Sequence, residues 1–248
     1  MEQATGHTKT SAYAFIREKI LSGDLPPGKA LTTLDLSKQI GVSRTPVRDA
    51  LRQLEGEGLV TILPDVGATV KSLSSAEFRQ LCCIRLALES YAAGEAARIR
   101  RSSDLRDLEL HFNLMKEQCE KMKDAGRNVL SNSKLLSRHD ICFHLAIAEA
   151  TSNELLKREI TRLCIVNRFV GSDGVRRDWE TYQHTEENLV DCLDRVVAEH
   201  KDILEAVRAE EVVTARSLME RHIQNIIDSF DRTSLIEQQK RLQASLRI

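Results

Sequence analysis

Apolar positions in the first seventy residues recur at helical spacing in short runs, each cut by glycine or proline. "SAYAFIREKILSG" puts Tyr13, Ile16, Ile20 and Leu21 on one face and stops at Gly23, which predicts a short helix. Pro26, Pro27 and Gly28 enforce a turn in "DLPPGKAL". "LDLSKQI" predicts a second helix, ended by Gly41. Ser43 stands where it would cap a third helix, with Pro46 in the first turn and Gly58 at the close. Val47, Leu51 and Leu54 give that helix its buried stripe. Gly56 falls inside it, where glycine costs roughly 1 kcal/mol relative to alanine. "LVTIL" and "ATVKSL" flank the turn "PDVG" and predict a β-hairpin.

From Ser74 onward the period is helical throughout. Ser74 with Glu77 forms a capping-box pattern that opens a helix to about Arg101. Further helices are expected over roughly 104–124, 133–150, 153–170, 184–208 and 210–230, separated by "RRSSD", "AGRN", "TSN", "GSDGVRRD" and "RAEE". The fold class is therefore mainly α. A winged helix-turn-helix with a small β-hairpin wing comes first, then an all-α helical bundle. The organisation expected is a flexible N-terminus over 1–10, the winged helix-turn-helix over 11–72, the bundle over 73–231 and a polar tail over 232–248.

Composition agrees with this. Aromatics make up 4 % of the 248 residues, and four prolines with eleven glycines are few for a loop-rich β protein. The net charge of −1 advertises no global attraction to nucleic acid, and residues 1–71 hold nine basic against eight acidic side chains. Affinity for DNA would have to come from local placement and from dimerisation. Six cysteines, at 82, 83, 119, 142, 164 and 192, lack metal-ribbon spacing and read as small buried hydrophobes of a reducing compartment. There is no signal-type N-terminal segment and no apolar run of eighteen residues, so the expectation is a cytoplasmic protein without a membrane partner.

The third helix carries the first functional pattern. A recognition helix enters the major groove N-terminus first, so its earliest side chains meet base edges and phosphates. Ser43, Arg44 and Thr45 occupy that first turn, and Arg48 and Arg52 follow on the same face at steps of four. Arginine can bind guanine O6 and N7 bidentately or clamp a phosphate. "SRTPVRDALRQLEGEGLV" closely resembles the recognition helix of GntR-family transcription regulators, and "ILSGDLPPGKAL" resembles the segment preceding it there. The resemblance covers residues 11 to 71. It implies that Arg44 and Arg48 make the main base and phosphate contacts, that Thr45 and Arg52 assist at the backbone, and that Gly67 sits at the wing tip near the minor groove.

The second pattern is a set of polar residues inside apolar rows. Asp140 and His144 stand four apart in "LLSRHDICFHLAIAEA" and share a face. His200 interrupts the stripe Leu189, Leu193, Val196, Ile203 and Val207, and His222 the row Ala215, Leu218 and Ile226. A single histidine on such a face is more often a satisfied core residue. One carboxylate and three imidazoles on three helices suit a divalent transition metal such as zinc, with positions left for water or an anion. His111 belongs to the row Leu108, His111 and Met115 and reads as a core or surface residue, while His139 points away from Asp140.

This half resembles the FCD-type effector domain of the FadR subfamily, and Asp140, His144, His200 and His222 match that family's metal-site pattern in order and spacing. Zinc is the first candidate, nickel and manganese the alternatives. Arg85 has two readings, an intrahelical pair with Glu89 and a cavity-facing clamp for a carboxylate. FCD-type relatives keep an arginine at this place that often serves a ligand. Asn167 is a further candidate for the effector cavity.

These expectations describe a dimeric, sequence-specific DNA-binding repressor that binds double-stranded operator DNA. A small carboxylate effector would reach the metal and control binding. Two rivals stand beside it, a purely structural metal and a metal-dependent hydrolase or lyase. The enzyme reading finds only Glu89 and Glu149 as nearby acids, no nucleophile motif and no catalytic residue to name.

Overall fold

A computed structural model describes residues 11–63, 67–124, 130–166 and 189–245. The expectations for residues 1–10, for the turn residues Pro64, Asp65 and Val66, and for Asn167 lie outside the described residues. The chain divides between Ser72 and Leu73 into two compact units.

The first unit holds α1 (Ala12–Leu21), β1 (Ala30–Leu31), α2 (Thr33–Ile40), α3 (Arg44–Gly56), β2 (Val60–Leu63) and β3 (Gly67–Val70). Ser11 caps α1 by accepting from the Ala14 N–H, and Ala12, Ile16 and Ile20 form its buried face. Tyr13 is only half-buried and donates its hydroxyl to Glu57 at 2.6 Å, tying α1 to the end of α3. Thr32 caps α2, and Gly41 ends it in the left-handed conformation at φ 74°.

Ser43 occupies the N-cap position of α3, but its side chain makes no capping hydrogen bond. The physical reason is in the sequence. A capping oxygen accepts from the second or third helical residue, and the third is Pro46, which has no N–H. Gly56 is the last residue of the helix rather than an interior one, and a side chain there would meet open space.

The sheet has three strands, in the order β1-β3-β2, all antiparallel. The hairpin partners β2 and β3 run from Val60 opposite Val70 to Leu63 opposite Gly67. The third strand, β1, has only two residues and pairs Ala30 with Thr69 and Leu31 with Ala68.

The second unit is helical: α4 (Ser75–Ile99), α5 (Ser102–Asp124), α6 (Leu130–Ala150), α7 (Glu154–Val166), α8 (Leu189–Arg208) and α9 (Val212–Ser245). The capping box at Ser74 and Glu77 is formed in both directions. The last helix continues fourteen residues past Asp231, where a polar tail was expected, so the tail's backbone is helical up to Ser245. The long helix α4 packs along α9, and Gly94 allows the approach, since a Cβ there would lie 3.3 Å from the Val212 carbonyl oxygen.

The main core joins Phe143 and Ile147 of α6 to Leu193 and Ile203 of α8 and Met219 and Ile223 of α9. A smaller cluster stacks Phe78 on Phe230 with ring centroids 4.2 Å apart. Cys82, Cys119, Cys164 and Cys192 are buried as expected, whereas Cys83 is exposed. Among the described residues no helix is long and apolar enough to cross a membrane.

Candidate metal centre and nucleic-acid interface

Helices α6, α8 and α9 each bring part of one polar cluster into the main core. Asp140 and His144 come from successive turns of α6, His200 from α8 and His222 from α9. One ligand atom from each of the four lies within 4.8 Å of every other. The three imidazoles are packed together, with centroids 4.6 Å apart for His200 and His222, 5.3 Å for His144 and His222, and 5.5 Å for His144 and His200. Phe143 closes over His200 edge-on at 5.0 Å. The histidines are 0–3 % exposed, whereas 36 % of the Asp140 side chain remains accessible.

The Nδ1 of each ring faces an oxygen outside the cluster. That of His200 lies 2.8 Å from the Val196 carbonyl oxygen, which can only accept. That of His222 lies 2.7 Å from Glu199 Oε2, and Asn225 donates to the other oxygen of the same carboxylate at 2.7 Å. That of His144 lies 2.6 Å from Glu89 Oε2, close enough for an ion contact but without the alignment of a hydrogen bond. With Nδ1 carrying the proton, the neutral imidazole has a bare Nε2. All three Nε2 atoms are buried, and none has a hydrogen-bond partner among the described residues.

The Nε2 of His200 is 3.1 Å, and that of His144 3.9 Å, from Asp140 Oδ1. In neutral rings these lone pairs repel the carboxylate unless a cation, a metal ion or a ring proton, lies between them. Three imidazole nitrogens and one carboxylate oxygen, each oriented by an outer partner, are the donor set of a divalent transition-metal site. The residues fit the group.

The electrostatics agree. Burial works to raise the Asp140 carboxyl, but the His200 ring beside it, with the His144 and His222 imidazoles nearby, holds it well below the usual carboxylate range. Burial and neighbouring His200 push His222 down to about 4, so it is neutral at neutral pH. Burial would lower His200 as well, but its attraction to Asp140 outweighs this and raises it.

A cavity of about 140 Å³ opens against the cluster. Asp140 and His222 form part of its wall, together with Ser137, Arg195, Glu199, Asn225 and Ser229.

Arg85 lies in α4 and is 3 % exposed. Its Nε is 2.5 Å from Glu89 Oε1, and a terminal nitrogen is 3.3 Å from Oε2. The structure has the intrahelical pairing, with both groups sealed among the helices. His111 is half-buried, with an Nδ1 that has no hydrogen-bond partner among the described residues.

Two residues of the cluster's surroundings were not legible as such. In the sequence Glu89 reads as a helix partner and a nearby acid, and no pattern marks Glu199. Only the packing of α4 against α6, and of α8 against α9, brings them to the rings.

In the first unit, Ser43, Arg44, Thr45, Arg48 and Arg52 are all exposed, and Val47, Leu51 and Leu54 on the other side of α3 are buried. Arg52 has a loose contact with Asp49 at 3.8 Å, and neither Arg44 nor Arg48 has an ion-pair partner among the described residues. Two unpaired guanidinium groups one turn apart at the start of a helix suit a phosphate or a guanine edge. Gly67 opens β3 at φ 128°, and a Cβ there would sit 3.0 Å from the Leu31 carbonyl oxygen, so strand packing alone calls for glycine.

Residues 8–70 match the family model for bacterial regulatory proteins of the gntR family, and residues 80–225 match that of the FCD domain. An HTH-type transcriptional regulator of Agrobacterium vitis, from the TAR-I ttuE-ttuC' intergenic region, is 38 % identical over 90 residues, 36 % of this chain and 53 % of that protein. The HTH-type transcriptional regulator LutR of Bacillus subtilis is 28 % identical over 225 residues, covering 84 % of this chain and 94 % of LutR. Among solved structures, Escherichia coli McbR/YncC superposes with a TM-score of 0.69 at 21 % identity, covering 90 % of this chain and 96 % of that one, which is a likeness of fold.

Proposed function

The chain belongs to the GntR family of bacterial regulatory proteins, in its FCD-domain branch, and on that premise we propose a ligand-responsive repressor controlled at a metal centre. That it regulates transcription, and is not an enzyme, follows from the family and from relatives that are named as transcriptional regulators. In the proposal the protein acts as a homodimer on operator DNA. The first turn of α3 presents Arg44 and Arg48 to the major groove, with Ser43, Thr45 and Arg52 at the backbone and Gly67 in the wing.

Asp140, His144, His200 and His222 would hold a divalent transition metal, with zinc the first choice for an N₃O donor set and nickel or manganese next. When bound, the ion supplies a Lewis-acidic position for a carboxylate oxygen. The chain's own residues do the rest. Glu89, Val196 and Glu199 fix the rings, and the helices keep bulk water from the histidines. Ser137, Arg195 and Asn225 line the space through which a small organic acid would approach Asp140. An effector with differential affinity for two arrangements of the dimer shifts the population between them by that difference, and so weakens or strengthens DNA binding.

One observation carries this reading: three buried Nε2 atoms, without a hydrogen-bond partner among the described residues, converge with a carboxylate beside a cavity. The test is thermal melting of the metal-loaded and chelated full chain against small mono-, di- and tricarboxylates, followed by operator binding with any acid that shifts the loaded form. A selective shift that disappears on chelation, in protein that stays folded, supports sensing. Loss of folding on chelation, with no shift in the loaded form, would make the metal structural.

A further inference from the structure

The three histidines are braced in different ways. A main-chain carbonyl holds His200, and Glu199, in the cavity wall, holds His222. His144 depends on Glu89, whose side chain is 2 % exposed and which is not among the residues lining the cavity. A carboxylate this deeply buried needs a counter-charge, and the structure supplies one at the neighbouring turn. Arg85 reaches it with two nitrogens, and the Cys164 Sγ lies 3.8 Å from its Oε1. Because Arg85 provides the positive charge, Glu89 is left to face His144 Nδ1, 2.6 Å from its Oε2.

We propose that Arg85 and Glu89 are positioning residues of the metal centre: Glu89 orients His144 so that its Nε2 faces Asp140, His200 and His222, and Arg85 holds Glu89 in place. Arg85 therefore acts on the metal through two other side chains and does not touch the effector. The proposal rests on the metal reading of the cluster. It assigns a different role to the arginine that the resemblance would give to a ligand. Its geometry is that of an outer-shell carboxylate on a metal-binding imidazole, which fixes the tautomer and strengthens the donor.

The first measurement uses unaltered protein. Nitrogen-15 shifts of the histidine rings in the zinc-loaded chain should show His144 protonated at Nδ1 and bound through Nε2; binding through Nδ1 overturns the proposal. Variants come second, with zinc affinity read by competition against a chromophoric chelator and geometry by the absorption of the cobalt-substituted protein. Glu89→Gln should lower zinc affinity about ten- to a hundredfold and alter the cobalt spectrum. Arg85→Met should do the same, and Arg85→Lys, which keeps the charge, should recover much of the loss.

Wild-type affinity and an unchanged cobalt spectrum in Glu89→Gln would overturn the proposal. So would an Arg85→Met protein that keeps its metal but loses its response to carboxylates, since Arg85 would then be an effector ligand. A wild-type chain that binds no metal stoichiometrically overturns the metal reading itself, and this proposal with it. Should the variants fail to fold, the ring-nitrogen measurement on the wild type decides alone.

Discussion

Replacing His200 by leucine should change stability by an amount set by whether metal is present. His200 is wholly buried, its Nδ1 is engaged by Val196, and its Nε2 has no hydrogen-bond partner among the described residues. Without metal, that nitrogen is a desolvated polar atom costing about 1–3 kcal/mol, which leucine removes. The Asp140 carboxylate, 3.1 Å away, favours the protonated ring, and loss of that attraction in the variant offsets the gain. Chelated variant and chelated wild type should therefore lie within about 1 kcal/mol of each other.

With metal at a thousandfold excess over its dissociation constant, the wild type gains about 4 kcal/mol. For a cooperative unit of about 150–250 residues this is a rise in Tm of roughly 8–16 °C. The variant, with one of four donors gone, should keep little of it. The assay is calorimetry of the full chain with chelator and with zinc, supported by urea melts. An equal loss of about 3 kcal/mol or more in both conditions would make His200 a packing residue and refute the reasoning. A wild-type Tm that zinc does not move would refute it too.

Three other outcomes are expected. Arg44→Ala and Arg48→Ala should each weaken specific binding by about 1–3 kcal/mol, measured by fluorescence anisotropy at fixed salt on an operator selected from random DNA; unchanged affinity would remove them from the interface. Gly67→Ala should destabilise the first unit by about 1–3 kcal/mol, since its φ of 128° and a Cβ 3.0 Å from Leu31 O leave no relaxed geometry, and urea melting of that unit reads it. Hydrogen bonds from the Arg101 side chain and main chain hold the Asp104 carboxyl below its ordinary value against the effect of burial. A depressed folded value means that its stabilisation is complete above the unfolded value near 4 and is lost as pH falls through the folded one. Asp104→Asn should therefore flatten the decline in urea midpoint below about pH 4, and an unaltered decline would count against the pairing.

Much of this molecule is written in local periodicity. The stripe of Val47, Leu51 and Leu54 fixes which face of α3 is buried, and a period of 3.6 residues then leaves Arg44, Arg48 and Arg52 outside, as found. Asp140, His144, His200 and His222 were legible for a similar reason. Polar groups within apolar rows must face the core, where they need partners. Other features depend on neighbours that the sequence does not bring together. The two-residue strand β1 exists only through its pairing with β3, and no pattern so short announces itself. The Ser43 cap is not formed, since Pro46 at the third helical position has no N–H to donate.

Arg85 shows the division most sharply. Its spacing from Glu89 permitted a helix-surface pair or a side chain aimed at a ligand, and both satisfy the sequence. In the fold the two are paired, because burial of α4 encloses both charges. The same packing set Glu89 against His144 and Glu199 against His222. The sequence by itself therefore determined which side chains would enter the core. Tertiary structure alone decided which nitrogen of each ring faces its neighbours, since that depends on partners from helices far apart along the chain.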